Sequence, residues 1–369
     1  MSKVQETVLE IDLHALEHNY NHLRSKIKKD TKFLGVVKAF AYGSDSVAIA
    51  KKLENLGADY LAVAYTNEGV ALREAGVTLP ILVLHPQRVC FPRIIEHRLE
   101  PSLYSPLVLT SFLRTAKALQ QTRYPVHLKL NTGLNRIGFS EREVDFLIEQ
   151  LQGAKEVKVA SLFSHLAASE DINEQEFSLS QIEAFKRIAT QLLDKIEDRP
   201  LLHLLNTSGI INYPQAQFDM VRSGIGIYGY GNEASEDAQL IPVATLKTII
   251  SQIHKIEPNQ SVGYNRGFIA TSPTVTATLP LGHADGLGRI YGNHKGHVWV
   301  NGTLAPIIGN VCMDMVMIDI TGIKCQEGDE VIVFGKTHSA DTMAAYADTI
   351  SYELLTGISQ RIKRVYIGK

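Results

Sequence analysis

Val36-Val37-Lys38-Ala39-Phe40-Ala41-Tyr42-Gly43 is the stretch that decides how the chain is read. The apolar run Leu34-Gly35-Val36-Val37 leads into it, and Lys38 stands at the end of that run. Such a run reads as a β-strand, so Lys38 falls at a strand's C-terminal end. Working outward, short β-rich runs at 33–38, 60–65, 81–85, 99–104, 126–130, 157–164, 201–206 and 220–224 alternate with segments of helical period. Segments 46–56 and 183–196 are examples, with apolar residues three and four apart. The alternation continues to Gly231 and predicts an α/β fold, an N-terminal (β/α)8 barrel of the TIM type. Run 99–104 is the weakest, because Pro101 lies inside it, and a doubly wound sheet is the alternative.

The character changes after Gly231. Segment 231–239 is polar and turn-rich and reads as a linker. Beyond it, runs at 244–253, 274–280, 297–300, 304–308, 315–320 and 330–334 are punctuated by Gly, Asn and Asp, which predicts a C-terminal, mainly β domain. The expected division is 1–235 for the barrel and 236–369 for the β domain. Run 7–11 precedes every barrel strand; it is expected to pair with the second domain and bring the chain ends together. Asp12 reads as the N-cap of a helix that follows it.

Composition narrows the function classes. Of 369 residues, 45% are hydrophobic and 21% charged, as in an ordinary globular protein. Lys and Arg total 37 against 39 Asp and Glu, a net charge of −2, so nothing points to nucleic acid. Cys90, Cys312 and Cys325 are sparse and irregularly spaced; they read as reduced thiols of a cytoplasmic protein, not as a disulfide framework or a metal site. The first residues lack the apolar stretch of a signal peptide, and no run has the length of a membrane span.

Function in such a barrel collects where strands end. Lys38 ends the first strand, and Arg136 follows the fifth through Asn131-Thr132-Gly133-Leu134-Asn135. His165 ends the sixth, Asn206-Thr207-Ser208 the seventh, and Arg222 lies in the eighth before Ser223-Gly224-Ile225-Gly226. Singly, each has a bland reading: a solvated lysine, an ion-paired arginine, a core histidine, a tight turn. Their convergence on one mouth favours chemistry. A lysine able to lose its proton forms a Schiff base with an aldehyde cofactor, and nearby cations and desolvation favour that loss. Small residues with free N–H groups and hydroxyls hold a phosphate, often after strands seven and eight of a barrel.

The Lys38 stretch resembles the cofactor-lysine motif of the alanine racemases, enzymes that use pyridoxal 5'-phosphate (PLP). The resemblance continues through 126–138 (Val-His-Leu-Lys-Leu-Asn-Thr-Gly-Leu-Asn-Arg-Ile-Gly), Ser164-His165-Leu166-Ala167, Val221-Arg222-Ser223-Gly224-Ile225 and Val262-Gly263-Tyr264. It ends with Gly282-His283-Ala284-Asp285-Gly286, Val311-Cys312-Met313-Asp314 and Ser351-Tyr352-Glu353. The motifs run in order over nearly the whole chain.

The resemblance implies the following roles. Lys38 holds PLP and is one catalytic base. Tyr42, Thr207, Gly224, Ile225 and Tyr352 bind its phosphate, with His165 and Arg222 completing the cofactor site and Arg222 facing the pyridine nitrogen. Arg136 lies beside the cofactor oxygen and the substrate carboxylate, and Lys129, often carbamylated in the family, orients it. Tyr264 is the second base and the Met313 backbone a substrate contact, both from the partner in a homodimer with shared active sites; Asp314 supports them. Tyr264 must be stabilised as an anion, and a chain through His165 to Arg222 would do so. The implied reaction interconverts L- and D-alanine, supplying D-alanine for peptidoglycan, without metal, nucleic acid or membrane.

Four positions depart from the family pattern. Phe40 stands where Asn is usual, Asn131 where Asp is usual, Gly263 where Ser is usual and His283 where Tyr is usual near the substrate entrance. These leave serine or another small amino acid open as substrate. A barrel-type PLP decarboxylase would carry a Glu-Pro-Gly-Arg motif, absent here. A non-catalytic PLP-binding protein would lack a second domain with a base tyrosine. A PLP-free barrel binding a sugar phosphate would be colourless when purified.

Overall fold

A computed structural model describes residues 4–231 and 233–368. Residues 1–3, at the head of the segment read as no signal peptide, residue 232 in the expected linker, and residue 369 lie outside the described residues. Strand β1 (Val8–Asp12) leads into helix α1 (Leu13–Ser25). The Asp12 carboxylate accepts the N–H groups of His14 and Ala15, both at 3.0 Å, satisfying donors that a helix start leaves unpaired.

The chain then closes a parallel eight-stranded barrel. Its strands are β2 (Lys32–Val36), β3 (Tyr60–Val63), β4 (Ile81–Val83), β5 (Glu100–Leu103), β6 (Tyr124–Lys129), β7 (Val157–Phe163), β8 (Leu201–His203) and β9 (Met220–Ser223). Strand β9 pairs back onto β2, so no edge remains. Pro101 sits within β5 and the barrel closes through it, with Val83 opposite Pro101 and His127 opposite Ser102. The doubly wound alternative is therefore excluded.

Residues alternate between the two faces of each strand. Phe33, Leu61, Val63 and Ile81 are fully buried in the apolar core. The interior is not uniformly apolar: His127, Lys129, Ser161, His203 and Arg222 are all buried on the barrel strands. Buried polar groups of this kind must be partnered, and their partners define the site below.

The second domain is a nine-stranded sheet built from β10 (Ala244–Ile249), β11 (Gln252–Ile256), β14 (Thr274–Leu279), β15 (His297–Val300), β16 (Thr303–Ile308), β17 (Val316–Asp319), β18 (Glu330–Phe334), β19 (Lys363–Ile367) and β1. A short ribbon, β12 (Ser261–Val262) with β13 (Phe268–Ile269), stands apart. Strand β1 lies between β10, antiparallel, and β19, parallel, so residues near both chain ends share this sheet.

Run 244–253 does not form one strand. The Ile250 N–H turns to Asp329 and the Ser251 N–H to Thr278, so the chain changes neighbours, from β18 to β14, at that point. Apolar Ile249, Ile250 and Ile253 flank the break, which is why the run reads as continuous, although burial stops alternating at Ser251 and Gln252, both exposed. The expected linker holds a short helix, Ala234–Asp237, and β19 was not anticipated. Among the described residues no helix is long and apolar enough to cross a membrane.

Candidate active site

Lys38 opens a turn, α2 (Lys38–Tyr42), at the C-terminal mouth of the barrel. Ala39, Phe40, Ala41 and Tyr42 have φ of 52°, 54°, 53° and 54°. This is a left-handed turn of non-glycine residues, which costs about 1–2 kcal/mol per residue. Surrounding contacts hold it. The Glu68 carboxylate accepts the N–H groups of Ala39 at 2.6 Å, Ala64 at 2.7 Å and Tyr65 at 3.0 Å. Gly43 ends the turn at φ 79°, and a side chain there would collide with the Leu355 carbonyl of the second domain.

The turn carries Tyr42 into the protein, where its ring stacks on Tyr228 at 4.5 Å and lies 5.9 Å from Tyr352. A side chain at Gly224 would collide with the Tyr42 hydroxyl, so only glycine leaves that space open. Beside it Thr207 Oγ1 lies 3.1 Å from Ser223 Oγ and accepts the Gly226 N–H at 3.3 Å. Ile225 opens a 3-10 turn, whose first N–H groups have no partner within it. Burial pushes the Tyr42 hydroxyl's titration up, and that of Tyr352 up to about 12, so both stay protonated and can donate to an anion.

These groups line one cavity of about 530 Å³, within the usual size for a cofactor or ligand site. Lys38, Tyr42, Lys129, Arg136, His165, Thr207, Arg222, Gly224, Ile225 and Tyr352 all face it. Tyr352 comes from helix Ser351–Thr356 of the second domain, so both domains build the cavity. Tyr264 and Met313 do not reach it. They are 75% and 59% exposed on the second domain. Asp314 is likewise remote, paired to Arg361 at 2.5 Å, which also holds Asp285 at 2.6 Å.

The electrostatics are one-sided. Lys38, Lys129, Arg136 and Arg222 line the cavity, and among the described residues no carboxylate does. Burial, then the Arg136 charge, lowers the Lys38 pKa from 10.5, with Glu68 opposing. Burial, then Arg222 and Arg136, lowers that of Lys129 further. Burial, then Arg222, holds His165 neutral, and burial alone pushes Arg222 down to about 9, still cationic at neutral pH. Arg222 spends both terminal nitrogens on protein: Nη1 on His203 Nδ1 at 2.8 Å, and Nη2 on the Ser164 and Leu204 carbonyls and His165 Nδ1 at 2.7, 2.9 and 3.1 Å. Its Nε makes no such bond among the described residues.

Phe163 was missed in the sequence, because an apolar strand-end residue carries no chemical signal. Its ring lies 4.8 Å from Lys129 Nζ and 5.6 Å from the Arg222 guanidinium carbon, and stacks on His203 at 4.9 Å. His85 and Asn206, which the sequence marks only as strand ends, also line the cavity.

A lysine held toward its neutral form, protonated hydroxyl donors, a glycine cradle and excess positive charge fit a phosphorylated aldehyde such as PLP. Fold and cavity together define the class, a (β/α)8-barrel enzyme with a lysine at its mouth and a cationic cavity suited to an anionic cofactor. Residues 11–232 match the family model "Alanine racemase, N-terminal domain", and 243–366 match "Alanine racemase, C-terminal domain". The alanine racemase of Halothermothrix orenii is 36% identical, over 98% of this chain and 97% of that protein. The Clostridium difficile alanine racemase structure superposes with a TM-score of 0.92 at 33% identity, covering 100% and 97% of the two chains. The Bartonella henselae alanine racemase, solved with covalently bound pyridoxal phosphate, gives 0.89 at 28% identity over 98% and 99%. The chain belongs to the alanine racemase family of PLP-dependent isomerases.

Proposed function

We propose that this chain interconverts L- and D-alanine with PLP held at Lys38, as a homodimer whose cavities are each completed by a second copy. The observation that carries the reading is the single cavity in which Lys38 meets Arg136, Arg222 and the Tyr42–Gly224 cradle. Tyr42, Thr207, Gly224, Ile225 and Tyr352 would hold the phosphate. The free Nε of Arg222 would meet the pyridine nitrogen, and as a donor that is never deprotonated at neutral pH it would leave that nitrogen unprotonated. Arg136 would anchor the substrate carboxylate, with Lys129 behind it.

Bound PLP supplies delocalisation of the negative charge left at Cα when its proton leaves. Inversion then needs one group on each face of Cα. Lys38 Nζ would take or return the proton on one face, and Tyr264 Oη of the second copy on the other, the two exchanging roles with direction. His165, accepting from Arg222 at Nδ1, keeps its proton on Nε2 and can direct it at that tyrosine oxygen. The exposure of Tyr264, Met313 and Met315 on the second domain supports a dimer, since it leaves them free to meet a second copy. Met313 and Asp314 would then stand at the other copy's cavity mouth. The barrel and β domains divide near residue 235, and a cytoplasmic role supplying D-alanine to peptidoglycan fits the reading.

The test is chirality against time for the PLP-loaded protein given L-alanine, with L-serine and L-lysine in parallel. Approach of L-alanine to a near-equal mixture is expected. Bound cofactor with no D-product, or loss of carbon dioxide from lysine, would defeat the reading.

A further inference from the structure

Arg222 is buried, yet among the described residues no carboxylate touches it. The row of hydrogen bonds that leads away from it ends on a carboxylate at the other end of the barrel. Glu100 begins β5, and its Oε2 lies 2.7 Å from His127 Nε2. His127 Nδ1 lies 2.6 Å from Ser161 Oγ, which lies 2.8 Å from His203 Nε2. His203 Nδ1 lies 2.8 Å from Arg222 Nη1. The side chains come from five strands, β5, β6, β7, β8 and β9, and cross the interior to the mouth. His127, Ser161 and His203 are 0% exposed, and every link of the row is a direct contact. Both ring nitrogens of each histidine have partners, so a flipped ring would set carbons against them and is excluded.

The two ends fix the direction of every proton. A guanidinium only donates, so His203 Nδ1 must accept and its proton sits on Nε2. That proton goes to Ser161 Oγ. A carboxylate only accepts, so His127 Nε2 must donate to Glu100. Ser161 Oγ accepts from His203, so its own hydroxyl proton goes to its other partner, His127 Nδ1, and every link donates from Arg222 toward Glu100. Rows with one direction polarise one another and strengthen in a low-dielectric interior.

We infer that Glu100, His127, Ser161 and His203 are positioning residues that form a one-way hydrogen-bond relay, fixing the His203 tautomer and holding Arg222 as an oriented cation at the barrel mouth. The relay explains why polar residues occupy barrel positions that apolar ones could fill. Other charges face both ends. Around Glu100 stand the Tyr60 and Tyr124 hydroxyls and the Arg73 guanidinium, whose donors are spent on carbonyls. Around Arg222 stand Lys129, His165 and His203, with Arg136 and Lys38 further along the cavity. Only the effect on turnover rests on the proposed function; the tautomers do not.

The test is nitrogen NMR of the holoenzyme with labelled histidine, without substrate, together with absorbance titration of the bound cofactor. In the wild-type protein His203 is expected to carry its proton on Nε2 and none on Nδ1. Glu100→Gln keeps an acceptor but removes the charge, and Ser161→Ala cuts the row. Each should move the alkaline limb of the cofactor titration to about tenfold higher proton concentration, roughly 1.4 kcal/mol, and Ser161→Thr should restore it. A proton on His203 Nδ1, or an unmoved limb in both variants, overturns the relay. If the variants fail to fold, the wild-type tautomer decides alone. A correct tautomer in a protein that does not racemise would defeat the proposed function and leave the relay standing.

Discussion

At the scale of the residue, the lysine's chemistry follows from its surroundings. Only the neutral amine attacks an aldehyde. Because burial and Arg136 lower the Lys38 pKa, the rate at which the apo-protein captures PLP should rise with pH and level off below 10.5. Rapid-mixing absorbance measures this, and Arg136→Leu should move the plateau to higher pH. A plateau unaffected by that change would show that Arg136 does not act on Lys38. Gly224 is the other decisive residue. Gly224→Ala should drive the Tyr42 hydroxyl out of the cradle, weakening PLP binding tenfold or more, with a stability loss of about 1–3 kcal/mol from overpacking. Equilibrium dialysis and thermal unfolding separate the two effects.

At the scale of the element, α1 shows how one side chain joins the domains. Asp12 ends a strand of the second domain's sheet, caps the helix that enters the barrel, and pairs with Lys336 at 2.8 Å. Burial works against its ionised form, but the Lys336 and Ala15 bonds outweigh it, so its pKa lies below the ordinary 3.8. A group depressed in the folded state stabilises above its unfolded pKa and loses that effect as pH falls through the folded value. Asp12→Ala should therefore cost about 1 kcal/mol near neutral pH. The difference from wild type should shrink below pH 3.8 in urea unfolding. A constant difference would place the loss in packing. The left-handed turn α2 is the contrary case, since its residues have no intrinsic preference for that conformation and only the Glu68 bonds and the second domain hold it.

At the scale of the whole molecule, the proposed bases lie apart, with Lys38 in the cavity and Tyr264 exposed on the other domain. A shared site predicts complementation. Lys38→Ala and Tyr264→Phe proteins should each be inactive, the second with PLP still bound. Co-expressed, half the dimers are mixed and each holds one intact site, so about a quarter of wild-type activity should return. Absence of recovery in purified mixed dimers would place both bases within one chain.

What the sequence by itself determined was local. Strand ends, small residues and charged side chains after apolar runs are written in neighbouring positions, so the barrel and the set Lys38, Arg136, His165, Thr207 and Arg222 were legible. Break 250–251 was not legible, because apolar residues flank it and nothing in them says which neighbour each half bonds. Nor was strand β19, whose partner β1 lies at the opposite end of the chain. Phe163 was silent because it is apolar, and Glu100 with His127 because their partners are far away in sequence. Only the closed tertiary structure brought them together, since closure of the barrel is what turns residues on separate strands into one dry, hydrogen-bonded row.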